Sequence, residues 1–367
     1  MHWIRTVLLA ILCVAGAASA IAQEIPFRLV RNMILLPVKV NGVEITGRLD
    51  TGGTYSIIHP ATANKLGLSS GGAVAAGGLS GRSFAYKTFD AGPISIGDLQ
   101  VSAKPLLAVE LRSMAPDAAP PIDITLGMDM VRDLVMEIDF DRSVIRFTPA
   151  AKFSATPAGE LVSIRRVGND RSIKTAITGW TMVRAGFDTG NPGTIEISDK
   201  VAQKALAGAK MSQLLANGID GSFVVRTSTV PSITLAGQTF ENVPVTVSAH
   251  QDERIGLGMD ILKRFNLVLD FTRDRMWMRP NSLGKSSYSK DRFGLWVNSN
   301  AWPRPVLLIS PGSPAANAGL KAGDNIAKLL DEAGQLVEHP DLLGAGTKLT
   351  VVLTNGRKHE LVASDYF

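Results

Sequence analysis

The chain is 367 residues long, 45% hydrophobic and 19% charged, too apolar for a disordered chain and long enough for two or three domains. Its net charge of +5 comes from scattered basic residues that do not interleave with aromatics, so nucleic acid is not an expected partner. Cys13 is the only cysteine, which excludes disulfides, thiolate metal sites and cysteine nucleophiles beyond the first 22 residues.

Residues 1–22 have the layout of a secretory signal peptide. Arg5 precedes an apolar run from Val7 to Gly16, and Ala17, Ala18, Ser19 and Ala20 follow, which places cleavage after Ala20 or Ala22. The run is short for a membrane span, and Leu12 before Cys13 does not suit lipidation. Export without disulfides is expected of a bacterial envelope protein, periplasmic or secreted.

Residues 34–40 and 43–49 flank Asn41-Gly42, the strongest short hairpin signal, and deliver Asp50-Thr51-Gly52. A glycine-rich turn follows at residues 77–84. Leu126-Gly127-Met128-Asp129 then reads as the start of a short helix, followed by a hairpin of residues 135–140 and 144–147. The same series comes round again. Residues 173–187, turning at Gly179-Trp180, deliver Asp188-Thr189-Gly190. A second glycine-bearing turn spans 218–223. Leu257-Gly258-Met259-Asp260 precedes a hairpin of residues 267–271 and 276–278.

The repeat is measurable. Leu134, Asp139, Phe140 and Arg142 fall on Phe265, Asp270, Phe271 and Arg273 at a constant offset of 131, while the two Asp-Thr-Gly triplets are 138 apart. Two homologous lobes are therefore expected, residues 23–149 and 150–283. A polar linker beginning at Gly284 leads to a separable module at 284–367.

Two carboxylates in matching places have a chemical use. A peptide bond is hydrolysed when one group takes a proton from water and another protonates the substrate. Carboxylates about 3 Å apart cannot both ionise, so a pair sharing one proton does both. In each triplet Asp supplies the carboxylate, Gly allows a tight turn that brings N–H groups near it, and Thr can hydrogen-bond across to the other lobe.

With these residues the sequence resembles the aspartic peptidases, in particular the retropepsin-like group. The resemblance implies a mainly β fold with two homologous β-barrel lobes and a cleft between them. It implies a catalytic pair of Asp50 and Asp188, with Thr51, Gly52, Thr189 and Gly190 supporting the loops. Residues 125–127 and 255–258 match the segment that packs behind each loop. Gly78, Leu79, Ser80 and Gly81 would form a flap over the substrate, and residues 218–223 a second one. Retroviral members build this site from two chains, whereas here one chain carries both halves, so a monomer is expected to suffice.

The sequence departs from the family at Gly53 and Asn191, where Ser, Thr or Ala is usual. Fewer donors would then reach the aspartates, so the pair is expected to hold its proton to higher pH. Arg48 stands two residues before Asp50, facing the same way, where the family is usually apolar. It is read as a cleft residue that bends to solvent, rather than as a pocket for acidic side chains. His59, His250, His339 and His359 have no ligand spacing, and no metal or cofactor is expected.

Residues 311–324, from Pro311-Gly312-Ser313-Pro314 to Gly323-Asp324, together with Arg292-Phe293-Gly294-Leu295, resemble a PDZ domain of bacterial envelope proteases, an α+β module. Ser313-Pro314 would start a short helix. By resemblance, the N–H groups of Phe293, Gly294 and Leu295 would capture the carboxylate of a C-terminal peptide ligand. The expectation is an exported aspartic endopeptidase acting on peptide or protein substrates. The alternative is a catalytically impaired peptide-binding envelope protein.

Overall fold

The computed structural model describes residues 22–78, 83–101, 105–114, 120–167, 170–219, 221–249, 253–299 and 301–367. The residues expected to form a signal peptide, apart from residue 22, lie outside the described residues, as do Leu79, Ser80, Gly81 and His250.

The fold is mainly β and has two lobes. In the first, Met33–Val40 pairs antiparallel with Val43–Leu49. Asn41 and Gly42 between them adopt φ of 50° and 79°, the left-handed conformation that a two-residue hairpin turn needs. Ile124–Leu126 lies parallel to Val43–Leu49 on its other side. The second lobe repeats this arrangement: Trp180–Phe187 has Asp170–Ile177 antiparallel on one side and Ile255–Leu257 parallel on the other. Its turn falls on Thr178 and Gly179 (φ 82°), so Trp180 opens the strand rather than sitting in the turn.

The lobes meet in one six-stranded sheet. Leu134–Asp139 pairs antiparallel with Phe265–Asp270, and Glu137 stands opposite Val268, its own counterpart in the repeat. Val144–Pro149 and Arg275–Pro280 lie outside them, followed by Ile25–Pro26 on one edge and Glu160–Ser163 on the other. The short helices Met128–Val131 and Met259–Leu262 precede the two hairpins. A single buried cluster runs through both lobes, including Ile34, Leu49, Leu126, Phe187, Leu257 and Phe271. Among the described residues no helix is long and apolar enough to cross a membrane.

The C-terminal module has its own five-stranded sheet, in the order Leu295–Val297, Arg304–Ile309, Asn325–Leu330, Lys348–Leu353, Lys358–Val362. It also has its own core, around Phe293, Val306, Ile326, Val351 and Leu361. Ser313 caps Pro314–Asn317 by accepting from the Ala316 N–H. The segment that joins module to lobes is not a free linker. Arg264, 1% exposed, donates from one nitrogen to the carbonyls of Leu283, Gly284 and Ser286, and Tyr288 stacks on its guanidinium at 4.1 Å. The Ser289 N–H donates to the fully buried Asp260 at 2.8 Å. A polar composition here marks the chain feeding a buried arginine with carbonyls, not a solvated tether.

Candidate active site

Each Asp-Thr-Gly triplet leaves the end of a buried strand and turns under the parallel strand beside it. The Asp50 N–H donates to Leu126 O at 3.0 Å, and the Asp188 N–H to Leu257 O at 2.9 Å. Behind the turns, Gly127 and Gly258 lie so close to Tyr55 O and Gly193 O that neither position admits a Cβ. Both are therefore glycines by necessity of packing.

The two turns grip each other. The Thr51 N–H donates to Thr189 Oγ1 at 3.0 Å, and the Thr189 N–H returns to Thr51 Oγ1 at 3.1 Å. Thr189 Oγ1 also donates to Leu49 O at 3.3 Å. The glycines cross over as well. A Cβ on Gly52 would overlap the Asp188 carboxyl, and one on Gly190 would overlap that of Asp50. The Gly52 N–H lies 3.1 Å from Oδ1 of both aspartates, so it bridges them.

Beyond this shared frame the two aspartates differ. Asp50 Oδ1 also accepts from the Gly53 N–H at 2.7 Å, and its Oδ2 accepts from Arg48 at 2.9 Å. Asp188 Oδ1 accepts from the Gly190 N–H at 2.6 Å. Burial, and then the charge of Asp50, push the Asp188 carboxyl up to about 7, against the pull of the Gly190 N–H, Arg48 and the Gly52 N–H.

The matching family model decides the family. A model described as aspartyl protease matches residues 36–130 and 173–261, half of the chain and the equivalent part of each lobe. The chain belongs to the aspartyl protease family. No curated relative matches it.

An aspartyl protease with Arg48 in its cleft departs from expectation. Arg48 does not bend to solvent. It is 7% exposed, and it forms an ion pair with Asp50 on the floor of the cleft. Nor does the expected shortage of donors at Asp50 arise, because the Gly53 backbone and the Arg48 guanidinium both reach it. Asn191 turns the other way: its Oδ1 accepts from the Gly193 N–H at 2.8 Å, closing its own turn rather than reaching Asp188.

The cleft around the pair encloses about 2590 Å³. Gly78 lines it, and Leu79, Ser80 and Gly81, expected to form a flap, lie outside the described residues. The second-lobe hairpin, Ser212–Gly218 with Gly221–Leu235, lines the cleft and reaches the first lobe, where Tyr86 donates its hydroxyl to Ile219 O at 3.1 Å. The C-terminal module forms a further wall, with Phe293, Leu295 and Trp296 among the lining residues. It holds the base of the hairpin: Ser212 donates to Pro311 O at 2.8 Å, and Ser310 to Gln213 O at 2.6 Å. These serines sit in no motif, and nothing in the sequence signals the contact.

Two of the three predicted carboxylate-capturing N–H groups, those of Phe293 and Gly294, are already engaged. The Asp291 side chain accepts from Phe293 at 3.1 Å and from Gly294 at 2.9 Å, and Tyr366 donates its hydroxyl to it at 2.5 Å. Leu295 pairs with Ile309 within the sheet. A carboxylate does occupy the loop, but it comes from two residues upstream. Burial raises the Asp291 carboxyl above the usual range, against the pull of those donors.

Proposed function

We propose that the chain is an exported aspartic endopeptidase that hydrolyses peptide bonds with a water activated between Asp50 and Asp188. The carrying observation is the crossed geometry of the two triplets: each glycine makes room for the other lobe's carboxyl, and each threonine ties the other lobe's loop. A shared-proton pair needs that proximity. One carboxylate removes a proton from water as its oxygen attacks the carbonyl carbon. The other gives its proton to the carbonyl oxygen. The first then passes the acquired proton to the amide nitrogen as the C–N bond breaks, and the second recovers its own from the diol. One water is consumed and both carboxyls return to their starting state. The cleft receives an extended polypeptide, and the hairpin above it serves as a lid. The export reading is supported by residues 1–22 and by the lack of cysteine after them.

The C-terminal module is PDZ-like in this reading and serves substrate or partner recognition from its position on the cleft wall. Capture of a peptide carboxylate at Phe293 and Gly294 would require Asp291 to leave. The impaired alternative gains no support from Asn191, whose turn leaves the Thr189–Thr51 and Gly190–Asp50 contacts in place.

Asp50→Asn and Asp188→Asn are each expected to lower kcat on a fluorogenic peptide by at least about a thousandfold with an unchanged circular dichroism spectrum. Near-normal turnover of Asp188→Asn would overturn the reading and leave the second lobe a binding half.

A further inference from the structure

We propose that Arg48 is a positioning residue for this hydrolysis: its guanidinium holds Asp50 as the ionised member of the pair, which takes the proton from water, and leaves the shared proton on Asp188. The inference rests on the peptidase reading and names which aspartate does what.

The two lobes are asymmetric at this position. The strand Val43–Leu49 carries Arg48 into a buried position, and the position equivalent to it in Trp180–Phe187 is Gly186, which has no side chain. Exclusion of a side chain at its first atom does not explain the difference. A Cβ at Gly186 would meet only Arg171 O and Ile255 O, both at 3.7 Å, an ordinary contact. One aspartate of an otherwise two-fold frame therefore has a cation at 2.9 Å and the other has none at its matching position. An ion pair of this geometry forms with an ionised carboxylate, and it engages Asp50 Oδ2, leaving Oδ1 to the backbone donors. The arginine is retained at a cost, since its Nε is buried with no hydrogen-bond partner. Asp188, without such a partner, is the group for which losing the proton is expensive, and burial together with the charge of Asp50 raises its carboxyl.

The charges acting most on Asp188 are Asp50 and then Arg48. Other charged side chains lining the cleft include Asp129 and Arg132 of the first lobe and Arg171, Arg184 and Glu196 of the second. Asp129 is held by Ser56 at 2.6 Å, and Arg171 stacks on Phe271 at 5.2 Å.

The test is the pH profile of kcat/KM for the full chain, Arg48→Met and Arg48→Lys, with Asp50→Asn as the zero reference. Without the cation both macroscopic steps of the pair rise, so the Arg48→Met bell should move toward higher pH by about one unit or more, and Arg48→Lys should lie near the unmodified profile. A merely structural arginine would lower turnover equally at every pH. An unmoved bell in Arg48→Met, or equal displacement in both variants, overturns the proposal. So does a change confined to KM for substrates with acidic side chains, which would make Arg48 a subsite residue. Carbon-13 carboxyl NMR of aspartate-labelled protein follows the same titration without turnover, and so separates failure of this proposal from failure of the peptidase reading. Asp188 should be the last of the pair to ionise; Asp50 ionising last would refute the assignment.

Discussion

Asp188 is both a carboxyl held well above its ordinary range and a burden on the fold. Its folded value is raised from an ordinary carboxylate value to about 7, so burying the neutral acid is fully tolerated below the unfolded value. Above that, the unfolded state loses its proton first and stability falls until pH passes about 7. Asp188→Asn keeps an Oδ1 for the Gly190 and Gly52 N–H groups and removes the titration. It should therefore raise stability by roughly 2–4 kcal/mol at pH 8 while changing little at pH 4, read as urea midpoints at the two pH values. In the unmodified enzyme the alkaline limb of kcat/KM should fall near pH 7, where the shared proton leaves. Gly190→Ala gives a sharper steric test. Its methyl would overlap the Asp50 carboxyl, so activity should drop at least about a hundredfold. At this scale the triplets were legible because two copies sat at matching ends of predicted strands. The fate of Arg48 was not. Alternation says which face of a strand a side chain takes, but not whether another lobe covers that face. Asp291 was missed for a related reason: a local motif says which N–H groups are presented, not that a neighbouring carboxylate already fills them.

Hairpins carry most of the secondary structure, and turn chemistry made them readable. Asn41-Gly42 fixed one, and the repeat transferred the two hairpins of the six-stranded sheet from one lobe to the other. What periodicity could not supply is how far a hairpin reaches. The strand Gly221–Leu235 continues past any alternation that marks its end, because its outer half pairs only with Ser212–Gly218 and Gln238–Ser248 and has no continuous apolar face. Its tip meets the first lobe through Tyr86. Tyr86→Phe removes that hydroxyl, worth about 1 kcal/mol if it forms mainly in the closed state. The expected result is a severalfold rise in KM for a long peptide with kcat little changed, measured by steady-state kinetics.

For the whole chain, the two-lobe plan followed from the 131-residue offset, whereas the border of the third unit did not. A chain ending at residue 283 would strip Arg264 of the Gly284 and Ser286 carbonyls and of Tyr288, and Asp260 of the Ser289 N–H. One ending at residue 290 keeps all four. The shorter chain should melt lower by roughly 5 °C or more in calorimetry, since an orphaned buried guanidinium costs at least about 2 kcal/mol. Equal melting temperatures would show that those contacts are dispensable.

The six-stranded sheet places Glu137 opposite Val268, two residues that a symmetric dimer would be forced to make identical. Joining both halves in one polypeptide lifts that constraint at every position near the axis. An arginine in a homodimer would stand beside both aspartates or neither, and the two halves would compete equally for one proton. Here each half has its own stretch of the chain, so the halves can differ, and one keeps a cation and the other a glycine. On the roles proposed for Arg48 and Asp188, a division of labour between chemically identical groups is written into the order of residues along one chain.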